Sequence, residues 1–267
     1  MADGDWNWKN RDGGRGGLLY ESGNWGDILK LLWVAAVVGW KRRDGRPVDY
    51  FDPFAGDVRY PLGRKAAFRL ASVRSSGFDF IRRTHLEEGF WPSSASAALL
   101  LAGGLVEVWD ADAGRRGNWL EMPGVTVPEA ESGWDLAANR PTDAASLWLI
   151  DPYDFLAEWR DRLPMLAEKS RAVSILLYVY NRSAKNAESF ANYRAFRNAL
   201  EVLRDGLPVH VGRAAADAFL PRAHHEMVFL PCAADCEADD FPSLLDGLGD
   251  AAVLVRDGLD RTGVFDC

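Results

Sequence analysis

Apolar residues recur three and four apart at Ile28, Leu31, Leu32, Ala35 and Val38, and this spacing predicts a helix. Asn24 stands where a helix cap belongs, with Asp27 three residues on in the capping-box position. Lys41-Arg42-Arg43-Asp44-Gly45 ends the run. From there the pattern alternates. Short runs rich in Val, Ile, Leu and Trp predict strands at 48–51, 105–109, 125–127, 147–150, 173–180, 208–211 and 227–230. Helical spacing fills 95–102, 155–169 and 187–204, with Pro164 expected to break the second of these. Apolar strands separated by helices predict an α/β fold: a Rossmann-like, seven-stranded, mostly parallel sheet covered on both faces. The last two strands follow each other without a long helix between them, which predicts an antiparallel edge.

Residues 1–19, rich in Gly, Asp and Arg, have no core period and read as a flexible lead-in. Residues 20–267 read as one domain without internal repeats. The stretch 58–90 is basic and lacks a clear period, and it reads as a small insertion after the first strand.

Composition narrows the classes. With 48% apolar and 26% charged residues, the chain is neither disordered nor collagen-like. Three cysteines (Cys232, Cys236 and Cys267) are too few for a disulfide framework. The start, Met1-Ala2-Asp3-Gly4-Asp5-Trp6, is acidic and polar, unlike a secretory signal. The apolar runs 28–40 and 95–108 are too short for a bilayer, and Lys30 or Glu107 interrupts them. A soluble, cytoplasmic protein is expected.

The net charge is −8, yet residues 1–85 hold 15 Lys and Arg against 10 Asp and Glu. This basic third, with Arg42, Arg43, Arg82 and Arg83, reads either as a phosphate-binding face for RNA or as a solvated surface with a bias. The acidic total excludes only loose binding to any nucleic acid.

In doubly wound sheets ligands bind beyond the carboxyl ends of the strands, so the residues there carry the chemistry. The first strand runs into Asp52-Pro53-Phe54-Ala55-Gly56 and the second into Trp109-Asp110-Ala111-Asp112. Glu129-Ala130-Glu131 follows the third and Asp151-Pro152-Tyr153-Asp154 the fourth. Four acid-bearing strand ends in succession predict a site. An acid after the second strand suits the two hydroxyls of a ribose, and small residues after the first let backbone approach a ligand. Asp52 and Asp110 as turn caps, and Ser94 as a helix cap, are the structural alternatives. No G-x-x-x-x-G-K-[ST] loop and no full G-x-G-x-x-G occurs.

Asp52-Pro53-Phe54-Ala55-Gly56 resembles the first cofactor motif of S-adenosylmethionine-dependent amino-methyltransferases, and Asp151-Pro152-Tyr153 resembles their Asp/Asn-Pro-Pro-aromatic catalytic motif. The closer resemblance is to the bacterial 23S rRNA adenine-N6 methyltransferases of the J type. It rests on Gly23-Asn24-Trp25-Gly26-Asp27-Ile28-Leu29-Lys30, Arg59-Tyr60-Pro61-Leu62-Gly63 and Trp91-Pro92-Ser93-Ser94, in the family's order from about residue 20 to 155. A class I methyltransferase fold is what this resemblance implies, with S-adenosyl-L-methionine as cofactor and RNA, ribosomal RNA in this family, as partner. It implies that Lys30 and Ser94 contact the methionine end and that Asp52, Phe54 and Gly56 shape the first loop. Asp110 then holds the ribose, Glu131 lies near the adenine, and Asp151, Pro152 and Tyr153 form the catalytic motif. The chain also departs from the family. Leu31 and Phe54 replace family histidines, Gly56-Asp57-Val58 replaces Gly-Ala-Gly, and Pro152 stands where the family has two prolines.

The chemistry suits an aspartate. The lone pair of an exocyclic amine is delocalised into its base, and a carboxylate accepting from the N–H localises it toward the methyl donor. An aromatic beside it stacks on an unpaired base, although Tyr153 also reads as a core residue at a strand end. The rival readings are a methyltransferase fold kept as a binding module, and a methyltransferase acting on DNA or a small molecule. His224-His225 and Cys232–Cys236 suggest zinc, but adjacent histidines on a strand face opposite ways, so no metal is expected.

Overall fold

Asn24 caps the first helix as its position predicts. Its side chain accepts from the Asp27 N–H at 3.0 Å, and the Asp27 carboxylate accepts from the Asn24 N–H at 3.3 Å. This helix, α1 (Trp25–Lys41), is buried on nearly every side up to Val38, as expected of a helix apolar all round. The structure, a computed structural model, describes residues 24–73, 79–181, 187–215 and 224–262. The lead-in at 1–19 and Cys267 lie outside them.

After α1 comes β1 (Val48–Asp52), then a short antiparallel pair, β2 (Arg59–Pro61) and β3 (Phe90–Pro92). Helices α2 (Arg64–Ser72) and α3 (Asp79–Glu88) lie between the two members of that pair. The chain continues through α4 (Ser94–Leu101), β4 (Gly103–Val108), α5 (Ala113–Leu120), β5 (Val125–Thr126) and α6 (Gly133–Asn139). Next come β6 (Ser146–Ile150), α7 (Phe155–Ser170), β7 (Ser174–Asn181), α8 (Ala187–Arg204), β8 (His210–Ala215) and β9 (His224–Leu230). A short α9 (Ala233–Cys236) and a long α10 (Phe241–Thr262) complete the described chain.

The seven-stranded sheet has the order β5-β4-β1-β6-β7-β9-β8. Strands β5, β4, β1, β6 and β7 are mutually parallel, and β9 runs antiparallel to both β7 and β8. The antiparallel strand is therefore second from the edge rather than at it, which corrects the sequence expectation. Met227, Val228, Phe229 and Leu230 are buried in alternation on both faces, which an interior position requires. Val211 of β8 is only half-buried, as suits the outside place.

Alternation along the strands divides the core. Tyr50, Leu147, Leu149, Leu176 and Phe229 pack on one face with α1, α4 and α10. Phe51, Trp148, Ile150, Leu177 and Val228 pack on the other with α7 and α8. Pro164 does not break α7, contrary to expectation. It sits on the exposed side with Arg160 one turn before it, so the interrupted turn faces water. Helix α10 escaped the sequence reading because Pro242, Gly247 and Gly249 interrupt its run, although Phe241, Leu244, Leu248, Ala252 and Val255 hold helical spacing and are buried.

Candidate active site

The chain leaves β1 for β4 on one side and returns to β6 on the other, so the strand order reverses beside β1. In doubly wound sheets such a reversal marks where ligands bind, here at the carboxyl ends of β4, β1 and β6. Asp52, Asp110 and Asp151 stand there, one on each strand end.

The loops after β1 and β4 are tied together. Trp109 N–H donates to the Asp52 carbonyl at 2.9 Å and Ala55 N–H to the Trp109 carbonyl at 3.0 Å, which extends the ladder past both strands. Asp110 Oδ2 then accepts the Gly56 N–H at 3.0 Å, and its Oδ1 accepts the Asp112 N–H at 2.8 Å. Gly56 has φ +67°, a left-handed conformation natural to glycine, and a Cβ there would fall 2.4 Å from the Tyr60 hydroxyl. Three braces escaped the sequence reading. Trp119 Nε1 donates to the Gly56 carbonyl at 3.0 Å, the Tyr60 hydroxyl accepts from Asp57 N–H at 2.8 Å, and Ser93 Oγ donates to the Val58 carbonyl at 3.1 Å. The indole above a loop glycine had no signal in local spacing, because 63 residues separate the two.

Lys30, on the second turn of α1, reaches the end of β6. Its Nζ lies 2.6 Å from Asp151 Oδ2 and 2.9 Å from Asp27 Oδ1. Asp151 keeps about a fifth of its side chain open (20%), and among the described residues its Oδ1 has no protein partner. Burial pushes its carboxyl up to about 6; Lys30 pulls it down and Asp27 pushes it further up. Asp52 is nearly closed off (1% exposed), and only neutral groups bond to it: the Phe54 N–H at 3.1 Å and the Tyr50 hydroxyl at 3.2 Å. Burial, reinforced by the nearby charge of Asp151, pushes Asp52 up to about 7; its two donors and Lys30 pull it down.

Folding therefore binds a proton at Asp52 over a window where the unfolded carboxyl, near 4, has released it. The stability this group contributes is complete below pH 4 and is lost as pH rises to about 7. Asp52→Asn is expected to be about 2 kcal/mol more stable than the parent at pH 8, with the gain vanishing at pH 4. Urea midpoints at the two pH values check this; an equal difference at both would place the cause elsewhere.

The remaining expected residues are placed differently. Phe54 turns under α6, its ring 4.9 Å from Trp134. Ser94 is the first residue of α4, and the cap is Ser93, whose hydroxyl accepts the Ser96 N–H at 3.1 Å. Pro152 is half-buried, and Tyr153 is largely in solvent (74% exposed), not the core residue that one reading allowed. Glu131 is exposed in a recess of about 300 Å³ that Glu107, Glu129, Asp135 and Arg140 also line. The structure thus brings Lys30, Asp52 and Asp151 together and joins Gly56 to Asp110, while Tyr153 and Glu131 sit at the surface.

Of the four arginines expected on a basic face, Arg42, Arg43 and Arg82 are engaged by groups of the protein itself. Arg42 donates to the Leu101 carbonyl and Arg43 pairs with Asp240 at 2.9 Å, both at the far end of α1 from Lys30. Arg82 is held by Asp79 at 3.1 Å, and Arg83 is exposed on α3. His225 points inward to the Tyr178 hydroxyl, and Cys236 Sγ donates to the Cys232 carbonyl at 3.2 Å. Among the described residues no three His, Cys, Asp or Glu side chains converge on a metal position, and no helix is long and apolar enough to cross a membrane.

No protein-family model and no curated protein matches this chain. Among solved structures, protein LPL1258 of Legionella pneumophila, which carries the family name DUF519, aligns with a TM-score of 0.65 at 14% identity, over 89% of this chain and 95% of that one. The two share a fold. The plantazolicin methyltransferase BpumL in complex with SAH aligns at 0.39 and 9% identity, over 77% of this chain and 85% of its own. Its complex with a triazolic desmethylPZN analog and SAH aligns at 0.38 and 11%, over 76% and 85%.

Proposed function

We propose that this chain transfers a methyl group from S-adenosylmethionine to an exocyclic amine, adenine N6 of RNA being the substrate that its sequence resemblance implies. The observation that carries the reading is Asp151: a carboxylate at the strand reversal, with Oδ2 bonded to Lys30 and Oδ1 left open. The donor set fits a sulfonium cofactor. Asp52 is a buried acid that, among the described residues, is bonded by neutral groups alone, and the charge of Asp151 pushes it further up, so a cation beside it supplies the missing countercharge. Asp110 Oδ2 accepts the Gly56 N–H and retains a lone pair for a ribose hydroxyl, while Oδ1 accepts the Asp112 N–H and pairs with Arg115 Nη1 at 3.6 Å.

When bound, the cofactor supplies an electrophilic methyl group. The protein's part is alignment. Lys30 keeps Asp151 ionised at neutral pH, so Oδ1 accepts an N–H of the amine and turns its lone pair toward the cofactor. A backbone carbonyl of the 151–153 turn accepts the second N–H, and Oδ1 is the nearest base for the proton released. The exposed ring of Tyr153 supports a stacking role toward the base. The binding-module alternative draws on the missing second proline; the open Oδ1 favours the enzyme.

Asp110→Ala removes the proposed ribose acceptor and is expected to weaken S-adenosylmethionine binding by about 1.5–3 kcal/mol in calorimetry. Binding heat absent from the unaltered chain at millimolar cofactor would sink the proposal. For the RNA partner, Arg64 on α2 and Arg83 on α3 are exposed basic residues of the stretch between β2 and β3. Reversing both is expected to flatten the salt dependence of RNA affinity by about 1–2 units of log–log slope, with cofactor affinity unchanged. An unaltered slope would leave RNA contact to other surfaces.

A further inference from the structure

His225 is buried, and the proposed chemistry does not use it. Its Nδ1 lies 2.7 Å from the Tyr178 hydroxyl, and its ring stacks between Tyr178 (centroids 6.1 Å apart) and Tyr180 (5.3 Å). Tyr178 in turn presents its ring to the Lys30 ammonium, 4.7 Å from Nζ to the centroid. The first turn of α1 closes on this pair through Gly26. A Cβ there would lie 2.2 Å from the Tyr178 oxygen and 2.5 Å from His225 Nδ1, so a larger residue cannot stand at this point. Three elements, α1, β7 and β9, thus converge on one cation.

We propose that Tyr178, anchored by His225, is the positioning residue that holds the Lys30 ammonium against Asp151. The lysine stem has four rotatable carbons, and Asp27 lies within its own helix at 2.9 Å. Asp27 alone satisfies the charge without placing it at β6. The aromatic face supplies a further attraction, strongest where water is excluded, on the side that directs Nζ to Asp151 Oδ2. Burial pushes the His225 imidazole down to about 4, with Lys30 and Arg69 pulling the same way and Asp27 opposing. At neutral pH the ring is therefore uncharged, and Nδ1 is free to accept the phenol's hydrogen rather than to repel Lys30. Burial also raises the phenol well above its ordinary value, so it stays a donor.

The inference rests on the proposed role of Asp151, but its test needs neither cofactor nor amine. Trace acetylation followed by peptide mass spectrometry reads the reactivity of Lys30 relative to Lys41, whose buried pairing with Asp235 at 2.7 Å makes it an internal standard. Tyr178→Leu is expected to raise that ratio about tenfold, because the ammonium loses its aromatic wall. Tyr178→Phe, which keeps the ring, is expected to leave it within about twofold. Loosening of the whole fold raises both lysines together and leaves the ratio unchanged. An unchanged ratio in Tyr178→Leu, with Lys41 labelled as in the parent, overturns the proposal. If that variant fails to fold, His225→Gln reads the same ratio, with a rise of about two- to fivefold expected and no rise overturning the proposal. With active protein, Tyr178→Leu lowers kcat while KM for the cofactor holds. A chain that transfers no methyl group but shows the labelling pattern refutes the proposed function and leaves this assignment standing.

Discussion

Replacing Asp151 by alanine is expected to cut methyl transfer by at least ~10²-fold and to change cofactor affinity by less than about 1 kcal/mol. The two halves of this expectation have separate physical origins. In the proposed reaction Oδ1 of Asp151 is the acceptor that orients the amine, and removing one preorganised electrostatic partner acts on that scale. The proposed ribose acceptor, Asp110, belongs to a different strand end, where the Gly56 and Asp112 N–H groups hold it. The backbone at residue 151 follows a strand buried from Ser146 to Ile150, so alanine leaves the turn in place. Lys30 keeps Asp27 as a partner, and the variant stays folded. Radiolabelled methyl transfer and calorimetry on the same preparation check the pairing. Equal transfer by parent and variant would remove Asp151 from the mechanism.

Lys30→Met is expected to destabilise the chain by about 3–5 kcal/mol at pH 8, because it leaves carboxylates without their cation in a mostly closed site. Methionine keeps the stem, which is only 9% exposed, so packing loss is small and the change isolates the charge. Asp151 already holds its proton up to about pH 6 with Lys30 present, and losing the ammonium raises that value further. The variant then takes up protons on folding over a wide span. Its deficit is full above that raised value and shrinks as pH falls toward 4. Urea unfolding at pH 8 and pH 5 measures both. A loss below about 1 kcal/mol at pH 8 would mean that water screens the pair as at a surface.

The sequence carried the sheet further than the site. Six of the seven strands lie largely where the apolar runs predict them, because strands buried on both faces leave a continuous apolar signal; β8 (His210–Ala215), with Gly212, Arg213 and two alanines, shares only residues 210–211 with the expected 208–211. The capping box at Asn24 was legible for a similar reason: both partners lie within one turn. What depends on distant pairing was not. The place of β9 between β7 and β8 follows from pairing Leu177 with Val228, some fifty residues away, and no local pattern encodes that order. The acids at the strand ends were visible, but not their roles as loop clamps, nor the reach of Lys30 across 121 residues to Asp151. His225 attracted a metal reading by composition, whereas its partner, Tyr178, could be found only through the β7–β9 register that sets Tyr178 beside Met227 and Tyr180 beside His225.

The place of β9 also dictates an order of assembly. Strand β8 is synthesised first but, among the described strands, bonds to β9 alone, so it waits without that partner until residues 224–230 have emerged. Until then β7, eight residues long and almost wholly apolar, is an open border with its backbone groups unanswered. A chain halted before residue 224 would expose that border permanently and invite the β7 of another copy onto it. The strands β4, β1 and β6, which carry Asp110, Asp52 and Asp151, make no pair with β9, yet the later strand decides whether the sheet they belong to is closed on this side.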